Sequence, residues 1–168
     1  GCKKAGYKAA TYLSELAQWK PLQTGRVHII TMKEQYSVWC STSIDYASIL
    51  NSFVDIDKGC KFEHDFNLKN SFIDYDHAIV LWYGKEQGEL GEISREDNPA
   101  LDPSFDFITQ PVAIKLKENK IDKISYLFAI PELKYDLDIR NSDLFFFLGN
   151  IECERENSSW LDEILNGM

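Results

Sequence analysis

The chain has 168 residues, of which 44% are hydrophobic and 13% aromatic, and this composition predicts a folded domain rather than a disordered segment. Its formal net charge of −9 disfavours nucleic-acid binding, because proteins neutralise phosphates with Lys and Arg. No apolar run reaches the roughly 18 residues of a membrane-spanning helix, so no association with a membrane is expected.

The first part of the chain predicts a helix followed by two strands. Apolar residues recur at helical spacing in YKAATYLSELAQW, residues 7–19. RVHIITM at 26–32 and YSVWCS at 36–41 are rich in β-branched and aromatic residues, which favour strands. The polar KEQ between them is expected to separate the two strands.

A second helix is predicted over residues 43–54. Thr42 precedes Asp45 by three residues, which is the spacing of a capping box at a helix start. Three apolar residues are expected to form the inner face of this helix: Ile49, Leu50 and Phe53. FEHDFNL, residues 62–68, then predicts a short third helix.

The next part of the chain predicts a buried strand and a long loop. HAIVLWY at 77–83 is apolar throughout, which is typical of a central strand covered on both faces. Trp82 and Tyr83 are therefore expected in the core rather than at an interface. Residues 84–103 contain three glycines and two prolines and predict a long polar loop, and loops of that length are usually functional or mobile.

Residues 102–119 carry conflicting signals. Asp102 before Pro103 is typical of a helix start. Residues 112–117 alternate in the manner of a strand, and Pro111 lacks the amide proton that a helix interior requires. We expect a helix that is broken near Pro111.

The last part of the chain completes an α+β fold. ISYLFAI at 124–130 and DLFFFLGNIEC at 143–153 predict strands, and residues 157–166 predict a closing helix. About five strands and three or four flanking helices in mixed order predict a single α+β domain over residues 1–168, with a mixed, mostly antiparallel sheet and its core at 26–154.

The cysteines predict reduced thiols and a cytoplasmic location. There are four, widely scattered and without a CxxC pair: Cys2, Cys40, Cys60 and Cys153. Zinc ribbons and redox sites use closely spaced cysteines, so neither is expected. In the alternative, Cys2 within GCKK is the acylated residue of a membrane-anchored lipoprotein.

A metal site and a cofactor are not expected. His64 with Asp65, and Asp76 with His77, could supply four ligands in number. Each pair is adjacent in sequence, however, and neighbouring side chains diverge on a strand or a helix. Neither pair can easily direct both side chains to one ion.

Catalysis is also not expected. Asp74 and Asp76 point the same way in an extended segment, but an acid–base pair needs unequal environments, and both precede the strand where solvent is near. Cys40 and His28 lie on adjacent predicted strands, yet Cys40 is embedded in apolar sequence, which favours an inert buried thiol.

The distribution of charge points to protein binding instead. Residues 43–106 hold fourteen acidic and five basic residues, and the resulting charge of −9 equals the net charge of the whole chain. Such a field favours a basic partner. The candidate partner-binding residues are the acidic side chains of this region: Asp55, Asp57, Asp65, Asp74, Asp76, Glu86, Glu89 and Glu92, with Glu96 in the same loop.

Three stretches resemble the Imm22 group of bacterial immunity proteins. They are YSVWCSTSIDYASILNSFV, CKFEHDFNLKNSFIDYDHAIVLWY and the pair ISYLFAI with DLFFFLGNIECE, which together span residues 36–154. The resemblance implies a cognate toxin domain from a polymorphic or contact-dependent growth-inhibition system as partner, often a nuclease with a cationic active site. It places Asp74 and Asp76 in an electronegative patch that captures the toxin.

Two other functions stay open from the sequence. If Cys2 is acylated, the chain would be a lipid-anchored or periplasmic binding module. A small hydrolase with an unrecognised site is the remaining alternative.

Overall fold

A computed structural model describes residues 29–158 of the chain, and the side chains of residues 31–156. The chain divides into two compact units, Lys33–Glu154 and a unit that combines Gly1–Met32 with Arg155–Met168. The predicted helix over 7–19 lies outside the described residues. So does the predicted closing helix, apart from residues 157 and 158, which end a strand. One domain over the full length therefore stays a prediction.

The described residues form a four-stranded sheet, a two-stranded sheet and three α-helices. The elements are β1 (Ile29–Ser41), α1 (Tyr46–Asn51), α2 (Lys61–Asp65), β2 (Ile79–Trp82), β3 (Gly91–Glu92), a 3₁₀ turn (Pro103–Phe105), α3 (Asp106–Glu118), β4 (Lys123–Ile124), β5 (Tyr126–Pro131) and β6 (Phe146–Ser158). The strand order is β2–β5–β1–β6, and β3 pairs with β4. β5 is antiparallel to both β1 and β2. The predicted α+β class is confirmed.

Side chains alternate between the two faces of the main sheet, as the period of a strand requires. On one face, Val38 and Leu127 pack with Val112 and Leu116 of α3. On the other face an aromatic layer packs beneath α1 and α2, and its buried members include Trp39, Phe62, Phe66, Phe128 and Phe147. The sheet is thus the middle of three layers, and apolar burial on both faces is the main source of its stability.

The KEQ stretch does not separate two strands, so that prediction was wrong. Residues 33–35 belong to the continuous strand β1. Pairing continues there, because the N–H of Glu132 donates to the carbonyl of Gln35 at 3.0 Å. Lys33 also lies 3.4 Å from Glu152 on β6. Polar side chains with partners across the sheet can therefore extend a strand.

The helix predicted over 43–54 is shorter, because α1 spans only Tyr46–Asn51. Asp45 is its N-cap, and the carboxylate accepts a hydrogen bond from the N–H of Ser48 at 3.1 Å. Ile49 is buried and Phe53 packs on the aromatic layer, but Leu50 is 45% exposed, so its placement on the inner face was wrong. Leu50 lies about 100° around the helix from Ile49.

The predicted break at Pro111 is also wrong, because α3 is continuous from Asp106 to Glu118. A proline inside a helix costs roughly 3 kcal/mol. Ile108, Val112 and Leu116 are all fully buried along one side of α3, and their burial offsets that cost. The predicted helix start is confirmed in position, since Asp102 caps the 3₁₀ turn that leads into α3. The short helix predicted over 62–68 corresponds to α2.

β2 is an edge strand, and its prediction as a central strand was wrong. Its side chains do reach both core faces: Ile79 and Leu81 pack on the α3 side, and Trp82 packs on the aromatic side. Tyr83 is buried, as expected. Among the described strands, β2 has a hydrogen-bonded neighbour on one side only, which is β5.

Candidate partner-binding surface

The eight candidate acidic residues lie on three stretches of chain. Asp55 and Asp57 lie in the turn between α1 and α2, and Asp65 ends α2. Asp74 and Asp76 precede β2. The remaining three follow β2 in the loop that leads into β3: Glu86, Glu89 and Glu92. β2 therefore separates the second stretch from the third, and its four residues span about 13 Å.

The first two stretches meet at a shallow depression. Its lining includes Asp55, Glu63 and Tyr75, together with two lysines, Lys58 and Lys69. The Tyr75 ring stacks on Phe128 with centroids 6.2 Å apart and an interplanar angle of 18°. This contact holds the segment before β2 against the sheet. The lysines reduce the negative charge of the depression itself.

The third stretch folds back on the end of β2. A Cβ atom at Gly91 would lie 1.6 Å from the carbonyl oxygen of Tyr83, so only glycine fits there. The Nδ2 group of the buried Asn98 donates to the same carbonyl at 2.7 Å. Glu86 and Glu89 lie on the tip of this turn, where the N–H of Glu86 donates to the Glu89 carboxylate at 3.3 Å. The predicted long loop is therefore packed in place, although its acidic tip is exposed.

Ion pairs within the chain take up part of the acidic charge. Asp65 lies 2.5 Å from Lys61, and Glu92 lies 3.1 Å from Lys123. Asp74 shares a hydrogen bond of 2.5 Å with Nδ1 of His77. Within residues 29–158, no ion pair reaches four of the candidate acids: Asp55, Asp57, Glu86 and Glu89. These four carboxylates contribute most directly to the negative electrostatic potential that would attract a basic partner.

Lys61 links α2 to the segment that precedes β6. Its ammonium group lies 2.6 Å from Asp143 as well as 2.5 Å from Asp65. The hydrogen bond from Lys61 holds the pKa of Asp143 below its usual value. Burial alone would lower the pKa of Lys61, but the hydrogen bonds to Asp143 and Asp65 outweigh it and raise that pKa. Asp65 is thus a structural partner of Lys61 and a poorer candidate for binding.

Exposed apolar side chains lie beside the acidic residues, and the sequence reasoning did not include them. Phe72 is 88% exposed in the segment before β2, and Val80 is 46% exposed on β2 itself. Tyr75 and Leu50 are also exposed. Phe72 and Ile73 stand between the polar residues KNS and Asp74, and this is the one signal that could have identified Phe72. Large exposed apolar groups near polar ones are typical of protein-binding surfaces.

The candidate chemical sites gain no support. In the described part of the chain, no group of three or more His, Cys, Asp and Glu side chains is placed to hold a metal ion. Asp74 is hydrogen-bonded to Nδ1 of His77. His28 lies outside the described residues, so a dyad with Cys40 has no structural account.

The described cysteines are buried thiols. Cys40, Cys60 and Cys153 are free, and burial raises the pKa of all three, to about 11 for Cys153. Reactive cysteines have lowered pKa values, because the thiolate is the nucleophile. Cys60 Sγ lies 3.6 Å from the hydroxyl of Tyr75, next to the acidic depression, but its environment disfavours the thiolate.

Comparisons with known proteins identify no relative. No family model matches the chain, and no curated protein and no solved structure matches it at a significant level. The resemblance to the Imm22 group therefore stays a prediction. Among the residues that the structure describes, no helix is long and apolar enough to cross a membrane.

Proposed function

We propose that this chain is a cytoplasmic immunity protein that neutralises a basic toxin domain by stoichiometric binding, without catalysis and without a cofactor. One observation carries the proposal: acidic side chains that form no ion pair within residues 29–158 lie at both ends of an apolar, partly exposed strand. Asp55 lies beside the segment that enters β2, with Asp57 two residues further along the same turn, and Glu86 and Glu89 lie on the turn that leaves β2. An apolar centre with a charged rim is the usual anatomy of a protein interface.

The charge favours a basic protein as the partner. Opposite charges steer two proteins together and raise the association rate, which suits an inhibitor that must capture a toxin before it acts. A toxin that cleaves nucleic acid has a cationic surface, because it must bind phosphates. The proposal therefore combines the acidic surface with the resemblance to immunity proteins, and it extends to no particular toxin.

The test begins with the neighbouring gene. An immunity protein of this kind should be encoded beside a large secreted protein with a variable C-terminal domain, and that domain is the toxin to express. Cells that produce the toxin domain should survive when this chain is co-expressed, and calorimetry should give one immunity chain per toxin domain. A missing toxin gene, or no protection by the co-expressed chain, would contradict the proposal.

Charge variants then test the surface. Asp55 and Asp57 should be changed to Asn, because Asp57 has a φ of +37° that Asn accepts more easily than Lys. A second variant carries Glu86→Gln and Glu89→Gln. Each should slow association several-fold at low ionic strength, and the loss should shrink as salt shortens the screening length from about 30 Å to about 8 Å.

A matched control changes two exposed acids elsewhere in the chain, Asp136 and Asp138, to Asn. It removes the same formal charge as each test variant. If this control slows association as much as the test variants, only the net charge of the chain matters. The assignment of the binding surface would then be wrong, although the immunity function could stand.

A further inference from the structure

The outer edge of β2 has unpaired main-chain groups. In an antiparallel pair, alternate residues direct both their N–H and C=O toward the neighbouring strand. The N–H of Tyr83 donates to the carbonyl of Ser125 at 3.1 Å, so Tyr83, Leu81 and Ile79 face β5. Val80 and Trp82 therefore direct their main-chain groups outward. Within residues 29–158, no hydrogen bond reaches those groups from the outer side.

Among the described residues, this edge lacks most of the usual protection against strand pairing. Proteins protect exposed edges with charged side chains, proline, bulges or a covering element, and also by keeping the strand short. Ile79, Val80, Leu81 and Trp82 include no charge and no proline, and Val80 is 46% exposed. Within residues 29–158, only the shortness of β2 limits pairing. A short ladder gives few hydrogen bonds, so a partner strand would need further contacts at its ends.

The acidic residues supply such contacts. Asp74 and Asp76 precede the edge, and Glu86 and Glu89 follow it. We infer that the outer edge of β2 binds an extended segment of a basic protein as an added strand, with Lys or Arg residues of that segment lying at both ends of β2. The inference rests on the proposed function for the class of partner. It adds the main-chain mode of recognition and the place where it occurs.

A second copy of this chain is a poorer occupant of the same edge. Antiparallel pairing of β2 with itself would bring the segment before β2 in one copy to the turn after β2 in the other. Both are acidic, since residues 84–92 contain three glutamates against Lys85, and residues 70–77 contain two aspartates without a lysine or arginine. Like charges that face each other across a strand pair are unfavourable. A basic segment has the opposite sign at both ends.

The test uses synthetic peptides and the unmodified chain. The first peptide has the sequence Lys-Lys-Thr-Val-Thr-Val-Thr-Lys-Lys, and its matched control replaces every Lys with Glu. Amide hydrogen exchange is measured at Val80 and Trp82, whose N–H groups point outward, and at two helical amides of α3 as an internal reference. With the basic peptide at about ten times its dissociation constant, exchange at Val80 and Trp82 should slow about tenfold.

Two variants of Val80 separate main-chain recognition from general attraction. Val80→Pro removes one outward N–H, which an edge strand tolerates because no internal hydrogen bond is lost. Val80→Thr keeps the N–H and the β-branched shape. The Pro variant should lose peptide binding while the Thr variant retains it. Because the exchange measurement needs no variant, the test stands even if Val80→Pro fails to fold.

Three outcomes would overturn the inference: unchanged exchange at Val80 and Trp82, equal protection by the acidic peptide, or protection that comes from dimers of this chain. The peptide result is independent of the toxin assay. If the peptide binds the edge but the chain protects no cell, the immunity function is wrong and the edge site stands. If the chain protects cells equally well with Pro or Val at position 80, the edge site is wrong and the function stands.

Discussion

Replacing Phe62 by alanine should remove the anchor of α2. Phe62 is fully buried, and five rings surround it with centroids 5.2–5.6 Å away: Trp39, Phe53, Phe66, Phe128 and Phe145. Truncation of a buried Phe to Ala costs about 3–5 kcal/mol. Aromatic pairs add about 0.5–1.5 kcal/mol beyond the buried area, so we expect a value in the upper half of that range.

The loss is large against the total stability of a domain, which is about 5–15 kcal/mol. Urea unfolding followed by far-ultraviolet circular dichroism measures it. With a denaturant slope of about 2 kcal/mol/M, a loss of about 4 kcal/mol lowers the midpoint by about 2 M. Phe62→Leu should cost clearly less, because a large apolar side chain still fills most of the site.

The matched control is Ile114→Ala on α3, where the side chain is 62% exposed. Exposed substitutions change stability by about 0.5 kcal/mol or less, so its midpoint should move by less than about 0.3 M. A shift for Phe62→Ala below about 0.5 M would refute the reasoning that the aromatic layer holds α2 and the adjoining acidic turn.

Three further predictions concern groups away from β2. Asn150→Ala should lower the free energy of unfolding by about 1–3 kcal/mol, because Asn150 Oδ1 accepts from Ser37 Oγ and from the Tyr135 N–H, and calorimetry should show a lower Tm. The hydrogen bond from Lys61 lowers the pKa of Asp143, so this carboxylate stabilises the fold above its usual pKa of 3.8 and loses that effect as pH falls. Asp143→Ala should therefore lower the free energy of unfolding at neutral pH, and urea unfolding at a series of pH values should show the difference between variant and parent shrink below pH 3.8. A thiol reagent should count four free cysteines after denaturation but should react with the three described thiols only as fast as the native chain opens; rapid reaction in native buffer would contradict their burial.

The three-layer arrangement could largely be anticipated from side-chain periodicity. The run ISYLFAI places Leu127 and Ala129 on the α3 side, and Tyr126, Phe128 and Ile130 on the aromatic side. Burial of both faces makes such a run apolar at every position, which identifies a strand covered by helices.

Two local errors, at Gln35 and Pro111, have a common physical cause, which is that tertiary contacts override local preference. Gln35 stays in β1 because its carbonyl accepts a hydrogen bond from Glu132, the residue after β5, and Pro111 stays in α3 because its neighbours are buried. The exposure of Leu50 follows from the position where α1 begins, and Asp45 sets that position as the N-cap. A local pattern does not contain the partners of Gln35 and of α3, since they are distant in sequence.

The candidate surface was predicted only in part, for an electrostatic reason. Formal charge can be counted in a sequence, and it identified the acidic region. Side-chain pairing cannot be counted in the same way. Asp74 is hydrogen-bonded to His77, which is near in sequence, but Glu92 forms an ion pair with Lys123, which is distant. The charge that remains for a partner depends on these pairs, because an ion pair within the chain cancels most of the field at a distance.

The position of β2 in the sheet illustrates a limit of hydrophobic patterns. The apolar run that ends in Trp82 reports burial of side chains above and below the sheet, and in that respect the structure agrees with it. Whether a strand is central depends instead on its main-chain groups, which point sideways within the sheet and are the same for every residue except proline. An apolar strand can therefore be covered on both faces and still have one open edge. In this chain β2 is apolar and has one unpaired edge among the described strands, and acidic residues lie before and after it. A basic extended segment would therefore pair with this edge more favourably than a second acidic copy of the chain.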